Sequence, residues 1–196
     1  MIDLEQKINQ LYQTPSDINE HLPTIIKYGQ ECDHITEMGV RNILSTWGWL
    51  ASAPKNGLIC YDLLHPNKWG GNLNEVEETA KSYGLKFNFI EADVLEIDIE
   101  ETDLLFIDTW HHYNQLKAEL KRHSNKARKY ICFHDTTSFG HRSEPTTSEN
   151  RFKGDLDWSK GLWDAVTEFL NENSETWKLK ERFVNNNGFA IIERIK

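Results

Sequence analysis

A membrane span is the first thing this sequence lacks. No apolar run in its 196 residues approaches the roughly 18 positions that a spanning helix requires. A basic excess is missing too: 22 Lys and Arg stand against 31 Asp and Glu, a net charge of −9. A chain that tracks phosphates needs a positive surface, so nucleic acid is not an expected partner. The longest basic cluster, residues 121–129, falls where a predicted helix ends, and cations there meet the negative end of the helix dipole. Cysteine is scarce. Cys32, Cys60 and Cys132 are odd in number and widely spaced, with no C-x-x-C pair, which predicts buried, inert thiols. There is no internal repeat and no low-complexity tract. The opening residues, MIDLEQKINQLYQ, are amphipathic and acidic, unlike a signal or transit peptide, and the expectation is a cytoplasmic protein. A composition of 38% hydrophobic and 27% charged residues suits one soluble domain over residues 1–196 with its own core.

Two strand ends carry the positive information. DLLFID (103–108) and YICFHD (130–135) are short apolar runs that each stop on a carboxylate, and a helix-like stretch over 113–127 lies between them. Strand, helix, strand over about thirty residues is a βαβ unit with a right-handed crossover. It sets Asp108 and Asp135 side by side at the carboxyl ends of parallel strands, the edge where open α/β sheets bind ligands.

Further units precede these two. Helices are expected over 4–12 and 18–28, the second capped from Thr14-Pro15-Ser16-Asp17. A first strand covers 33–37, a helix 43–51, and a second strand 57–63 that carries Asp62. A helix over 74–83 ends at Gly84, and a third strand runs over 86–91. Residues 136–158 are polar and aperiodic, a loop long enough to act as a lid over the Asp135 strand end. A helix over 161–170 and two strands, 177–183 and 188–194, close the chain, and Asn185-Asn186-Asn187-Gly188 between them is a hairpin signal. The fold class is therefore α/β: a seven-stranded, mostly parallel sheet in the order 3-2-1-4-5-7-6, with one antiparallel strand and helices on both faces.

These motifs resemble, over Asp33 to Arg194, the class I S-adenosylmethionine-dependent methyltransferases. Within them the likeness is to the small-molecule O-methyltransferase group that includes cephalosporin-hydroxylase-like and macrocin-type proteins. EMGVRNILST (37–46) is similar to the family's Glu-x-Gly-x-x-x-Gly-x-Ser turn after the first strand. Tyr61-Asp62 matches its acidic second-strand end, FIDTWHHY (106–113) its Ile-Asp-Gly-Asp-His-x-Tyr segment, and FHD (133–135) its fifth-strand end. The tail, with G-L-W opening a helix and N-N-N-G, also fits. Three positions depart: Ile43 stands where a glycine is expected, and Thr109 and Trp110 replace Gly and Asp.

The resemblance implies a Rossmann-like fold, S-adenosylmethionine as cofactor and a small hydroxylated substrate, with no membrane partner; it leaves the oligomeric state open. Glu37, Gly39 and Ser45 would line the methionine end, Asp62 would accept from the ribose hydroxyls, and Asp93 would contact adenine. Asp108, His134 and Asp135 would hold a divalent ion, Mg or Mn, beside the substrate oxygens. His111, assisted by Asp108 and His134, would take the hydroxyl proton, although His112 is its neighbour and the sequence leaves open which of the two faces inward. Each site residue has a plainer role: a solvated strand end for Glu37, a cap for Asp62, unmetallated carboxylates for Asp108 and Asp135, and a helix cap for the histidine. Trp47, Trp49 and Trp177 are expected in the core, Trp69 and Trp110 against a ligand ring, and Trp158 and Trp163 at the lid, where His141 is loop decoration. Two other functions fit the same residues: a ligand-binding module without turnover, and a metal-dependent hydrolase or oxygenase built on the His/Asp set.

Overall fold

The computed structural model describes residues 2–146 and 151–196. Strand β1 (His34–Met38) is flanked by β2 (Gly57–Asp62) and β4 (Thr102–Ile107); β3 (Phe87–Glu91) lies beyond β2. On the other side, β5 (Ala127–His134) pairs with β4 and β7 (Phe189–Arg194), and β6 (Trp177–Phe183) forms the edge. The order is β3-β2-β1-β4-β5-β7-β6, with β7 antiparallel to both neighbours and the other pairs parallel. The expected topology stands.

Among the described residues six α-helices accompany the sheet: α1 (Leu4–Gln13), α2 (Leu22–Gly29), α3 (Leu44–Ala51), α4 (Leu73–Ser82), α5 (Tyr113–His123) and α6 (Leu162–Glu172). The alternation of β4 shows how they divide. Leu104 and Phe106 pack toward one face with Ile25, Trp47, Trp49 and Val76, whereas Leu105 and Ile107 pack toward the other with Tyr113, Leu116, Leu162 and Val166. Both faces of a parallel sheet are thereby covered, and each fully buried Leu or Phe contributes about 2–3 kcal/mol. Cys32, Cys60 and Cys132 are free and buried. Among the described residues no helix is long and apolar enough to cross a membrane.

Two helices differ from the sequence reading. The stretch expected as one helix over 18–28 opens as a 3-10 turn, Asn19–His21, before α2. Pro23 lies in the first turn of α2, where its missing N–H removes no helical bond, and Ser16 Oγ caps the 3-10 turn by accepting from Asn19 N at 2.9 Å. The crossover helix stops at His123 and continues as a 3-10 turn over Ser124–Lys126, because Ala127 already pairs with Thr102.

The β6–β7 link braces the site. Asn186, Asn187 and Gly188 all have positive φ, which Asn and Gly tolerate best. Asn187 O accepts from Thr137 N at 2.8 Å and Ser138 N at 3.0 Å, tying the hairpin to the chain leaving β5.

Candidate active site

At the carboxyl ends of β1, β2 and β4 lies a cavity of about 370 Å³, within the usual size of a small-molecule site. Gly39, Asp62, Asp93, Asp108 and His111 line it, with Trp69 and Trp110 as its aromatic walls. These residues come from five separate segments, which the parallel sheet delivers to one edge.

The turn after β1 forms one end. Gly39 has φ +86°, and a Cβ there would sit 1.9 Å from Asp108 O, so the close approach of β1 and β4 requires glycine. Asp62 holds the turn: its Oδ2 accepts from Val40 N at 2.8 Å and Arg41 N at 2.9 Å, and its Oδ1 from Leu64 N at 3.1 Å. A carboxylate offers about four acceptor positions, so the capping role is real and leaves room for about one ribose hydroxyl contact rather than two.

Glu37 and Ser45 do not line the cavity. Glu37 is fully buried and accepts from Ser45 Oγ at 2.6 Å, Thr46 Oγ1 at 2.7 Å and Cys60 Sγ at 3.0 Å. It anchors the first turn of α3 to β1. Burial pushes its carboxyl up to about 7, against the pull of those donors.

The other end is a cluster of charge. His111 Nε2 lies 3.3 Å from Asp108 Oδ1 and 3.1 Å from Asp135 Oδ2, while Nδ1 lies 3.1 Å from Glu144 Oε2. The last contact is bent away from the N–H direction, so it counts as an ion pair more than as a hydrogen bond. Burial works to lower the His111 pKa, yet the bond to Asp108 and the carboxylates of Glu144 and Asp135 prevail and raise it to about 10. Burial raises Asp108, but the neighbouring histidines hold it well below the usual carboxylate range. The surrounding carboxylates therefore favour the protonated imidazole of His111, in contrast to the unperturbed base expected from the sequence.

His112 resolves the ambiguity between the two adjacent histidines. It is fully buried, caps α5 by accepting from Asn114 N at 3.1 Å, and stacks on Trp110 at 4.5 Å. His111 is the inward residue.

The expected ion-holding set changes by one member. The donor atoms that converge within 4.8 Å belong to Asp108, His111 and Asp135. His134 is buried beneath them; its Nε2 donates toward Asp17 O at 2.9 Å and Asn186 O at 3.2 Å, and its Nδ1 faces Asp135 Oδ2 at 3.1 Å. It does not line the main cavity and acts as a buried counter-charge: burial works to lower its pKa, but the nearby carboxylates of Asp108 and Asp135 raise it to about 11.

The segment 136–158 reaches the site as far as it is described; its residues 147–150 lie outside the described residues. Phe139 stacks on His111 at 4.9 Å, Glu144 N donates to His111 O at 2.8 Å, and Pro145 O accepts from Trp110 Nε1 at 3.3 Å. Glu144 and Phe139 were invisible to sequence reasoning, since an aperiodic loop gives no signal of where it lands. Trp47 and Trp49 are core, as is Trp177. Trp158 packs edge-on to His112 at 4.7 Å, and Trp163 lies under the Arg182 guanidinium. His141 is exposed and pairs with Asp164.

The sequence matches no family model and no curated protein. Solved structures do share its fold. A Staphylococcus aureus protein assigned as a caffeoyl-CoA O-methyltransferase superposes with a TM-score of 0.65 at 12% identity, covering 99% of this chain and 93% of that one. The Podospora anserina methyltransferase PaMTH1, bound to S-adenosylhomocysteine, gives 0.55 at 13%, covering 100% and 89%. The N-methyltransferase NodS of Bradyrhizobium japonicum, in complex with the same ligand, gives 0.58 at 10%, covering 100% of both chains. The chain has the class I methyltransferase fold. At these identities the likeness is one of fold, and the fold serves acceptors of more than one element.

Proposed function

We propose that this chain transfers the methyl group of S-adenosylmethionine to a hydroxyl of a small molecule, a sugar or polyketide-like metabolite. One observation carries the reading: the turn and acids suited to the cofactor, Gly39, Asp62 and Asp93, share a single cavity with Asp108 and His111. The sulfonium methyl is already activated, so the protein supplies alignment, worth roughly 7–11 kcal/mol, and proton removal, worth about 10²–10⁴-fold.

Gly39 lets the main chain meet the methionine end, Asp62 keeps one acceptor for the ribose, and Trp69 offers a face to a ring. His111 stands at the far end. Glu144 beside Nδ1 favours the proton on that nitrogen, which leaves the Nε2 lone pair, on the side of the two aspartates, to take the proton of an acceptor hydroxyl or to ligate a cation, but not both at once. The donor set of two carboxylates and an imidazole, with Asp135 Oδ1 buried and unpartnered, fits a divalent cation; Mg and Mn are the candidates. When bound, such a cation would neutralise the carboxylate charge that otherwise keeps the proton on His111, and would polarise an acceptor oxygen. The acidic chain, at net −9, accords with a neutral or locally met substrate better than with nucleic acid.

A second reading is favoured by the charge state of His111: a module that binds the cofactor without turnover. Calorimetric titration with S-adenosylmethionine, with and without Mg or Mn and beside Asp62→Ala, tests the first step. Binding that the variant loses supports the cofactor site, and metal dependence supports the Asp108/His111/Asp135 set. Transfer to a panel of hydroxylated acceptors then separates enzyme from module. Absence of binding under every metal condition would overturn both.

A further inference from the structure

Behind the cavity wall formed by Thr109 and Gln115 lies a buried acid with no part in the chemistry above. Glu119, on α5, is fully buried. Its Oε1 accepts from Thr109 Oγ1 at 2.6 Å and from Gln115 Nε2 at 2.8 Å. That oxygen takes two donors at once, so it can serve only as an acceptor, with or without a proton on Oε2. The amide of Gln115 is thereby locked: its nitrogen points at Glu119 and its Oε1 points away.

Gln115 lines the main cavity together with Asp93, Val94 and Thr109. Its Oε1 makes no hydrogen bond among the described residues. Asp93 presents a second acceptor at the same corner; one of its oxygens takes Leu95 N at 2.9 Å and the other is free of hydrogen bonds among the described residues. Asp93 is near enough to Glu119 for its charge to be felt there. Two acceptors at one corner match a group that carries two N–H bonds.

Resting on the cofactor reading above, we infer that Gln115 is the purine-reading residue of this site and Glu119 its positioning residue. Together with Asp93, the locked amide oxygen would accept the exocyclic amino group of adenine and reject a 6-oxo purine, whose oxygen would face two acceptors. A buried acceptor forced against another acceptor loses its hydrogen bond and is desolvated without return.

The test compares S-adenosylhomocysteine with S-inosylhomocysteine, which differ at that group, by calorimetry on the full chain. Wild type should bind the adenine compound about 10- to 100-fold more tightly. Glu119→Gln removes the lock, because a glutamine there can donate as well as accept; Gln115 can then turn over, and the preference should shrink toward unity. Gln115→Leu should shrink it as well. Equal affinity of wild type for the two ligands would overturn the inference while leaving the cofactor site standing. Binding of neither would sink the cofactor reading itself, and this inference with it. A Glu119→Gln protein that keeps the full preference would show that Glu119 merely fills the core. The wild-type comparison needs no variant to fold, and a loss of packing alone would weaken both ligands equally.

Discussion

Ile43 carries the backbone that the family's glycine would have: φ 62°, ψ 24°, at the residue that opens α3. Arg41, two residues earlier, is also left-handed at φ 46°. A β-branched residue in this region is strained by about 1–2 kcal/mol, yet the Ile43 side chain is buried in the core, which offsets the strain. In the sequence this position read as a lost glycine, since a letter reports the side chain and not the φ it is forced to adopt. The physical picture inverts the usual order of truncations. Ile43→Ala loses the packing and keeps the strain, whereas Ile43→Gly loses the packing and relieves it. Denaturant unfolding should find the glycine variant more stable than the alanine variant by about 1 kcal/mol; the reverse order would mean that the turn relaxes out of the left-handed region. Asp62 makes a second residue-scale case. Because it satisfies the amides of Val40, Arg41 and Leu64, Asp62→Ala should lower the unfolding free energy by about 2 kcal/mol or more even without ligand. An unchanged melting temperature would show that these amides find other acceptors, and the variant would then report on the cofactor alone.

Strands and their order were legible because each is a short apolar run closed by a turn signal, and the crossover rule then leaves few topologies. β4 and β5 read to within one residue at their carboxyl ends, where Asp108 and Asp135 follow Ile107 and His134, whereas β5 begins at Ala127, three residues before its reading. The hairpin was legible for a local reason as well: Asn186, Asn187 and Gly188 supply three consecutive positive φ values. What no periodicity could reveal is that the hairpin turn also holds up the site, or that residues 136–146 fold back until Glu144 meets His111. Those contacts join positions far apart in the chain and depend on shape alone. Gly188 concentrates the point, for a Cβ there would lie 2.3 Å from Thr137 Oγ1 and 2.5 Å from Thr137 N, in addition to the strain of φ +96°. Gly188→Ala should therefore destabilise by more than the roughly 1 kcal/mol of a conformational penalty, to about 2–3 kcal/mol, and lower the melting temperature by several degrees. It should also displace Thr137 and weaken whatever binds at Asp135, two residues earlier. Loss of stability with ligand affinity intact would show that the hairpin supports the fold but not the site.

Across the whole molecule, the acids fall into two groups that answer pH in opposite senses. Asp108 is held low by its histidines, so its contribution is lost only in strong acid. Glu37 and Glu119 are the reverse: both are fully buried, and burial raises each from 4.5 to about 7 against the hydroxyl and amide donors around them. The sign follows from proton counting. Between about pH 4.5 and 7 the folded chain keeps a proton on each of these residues that the unfolded chain has released, so the native state binds more protons and its stability falls as pH rises. Each shift of about 2.5 pH units corresponds to about 3 kcal/mol across that window, after which the loss levels off. Self-repulsion of a chain at net −9 acts in the same direction, so the wild-type profile alone would not isolate the buried acids. The difference between two profiles does. Glu37→Gln keeps the shape and removes the titration; unfolding in denaturant at pH 5 and pH 7.5 should show its stability falling by about 2 kcal/mol less than that of wild type, whatever its absolute value. Parallel profiles would mean that Glu37 is already ionised at pH 5, satisfied by Ser45, Thr46 and Cys60. Their three hydrogen bonds would then outweigh the desolvation of a fully buried charge.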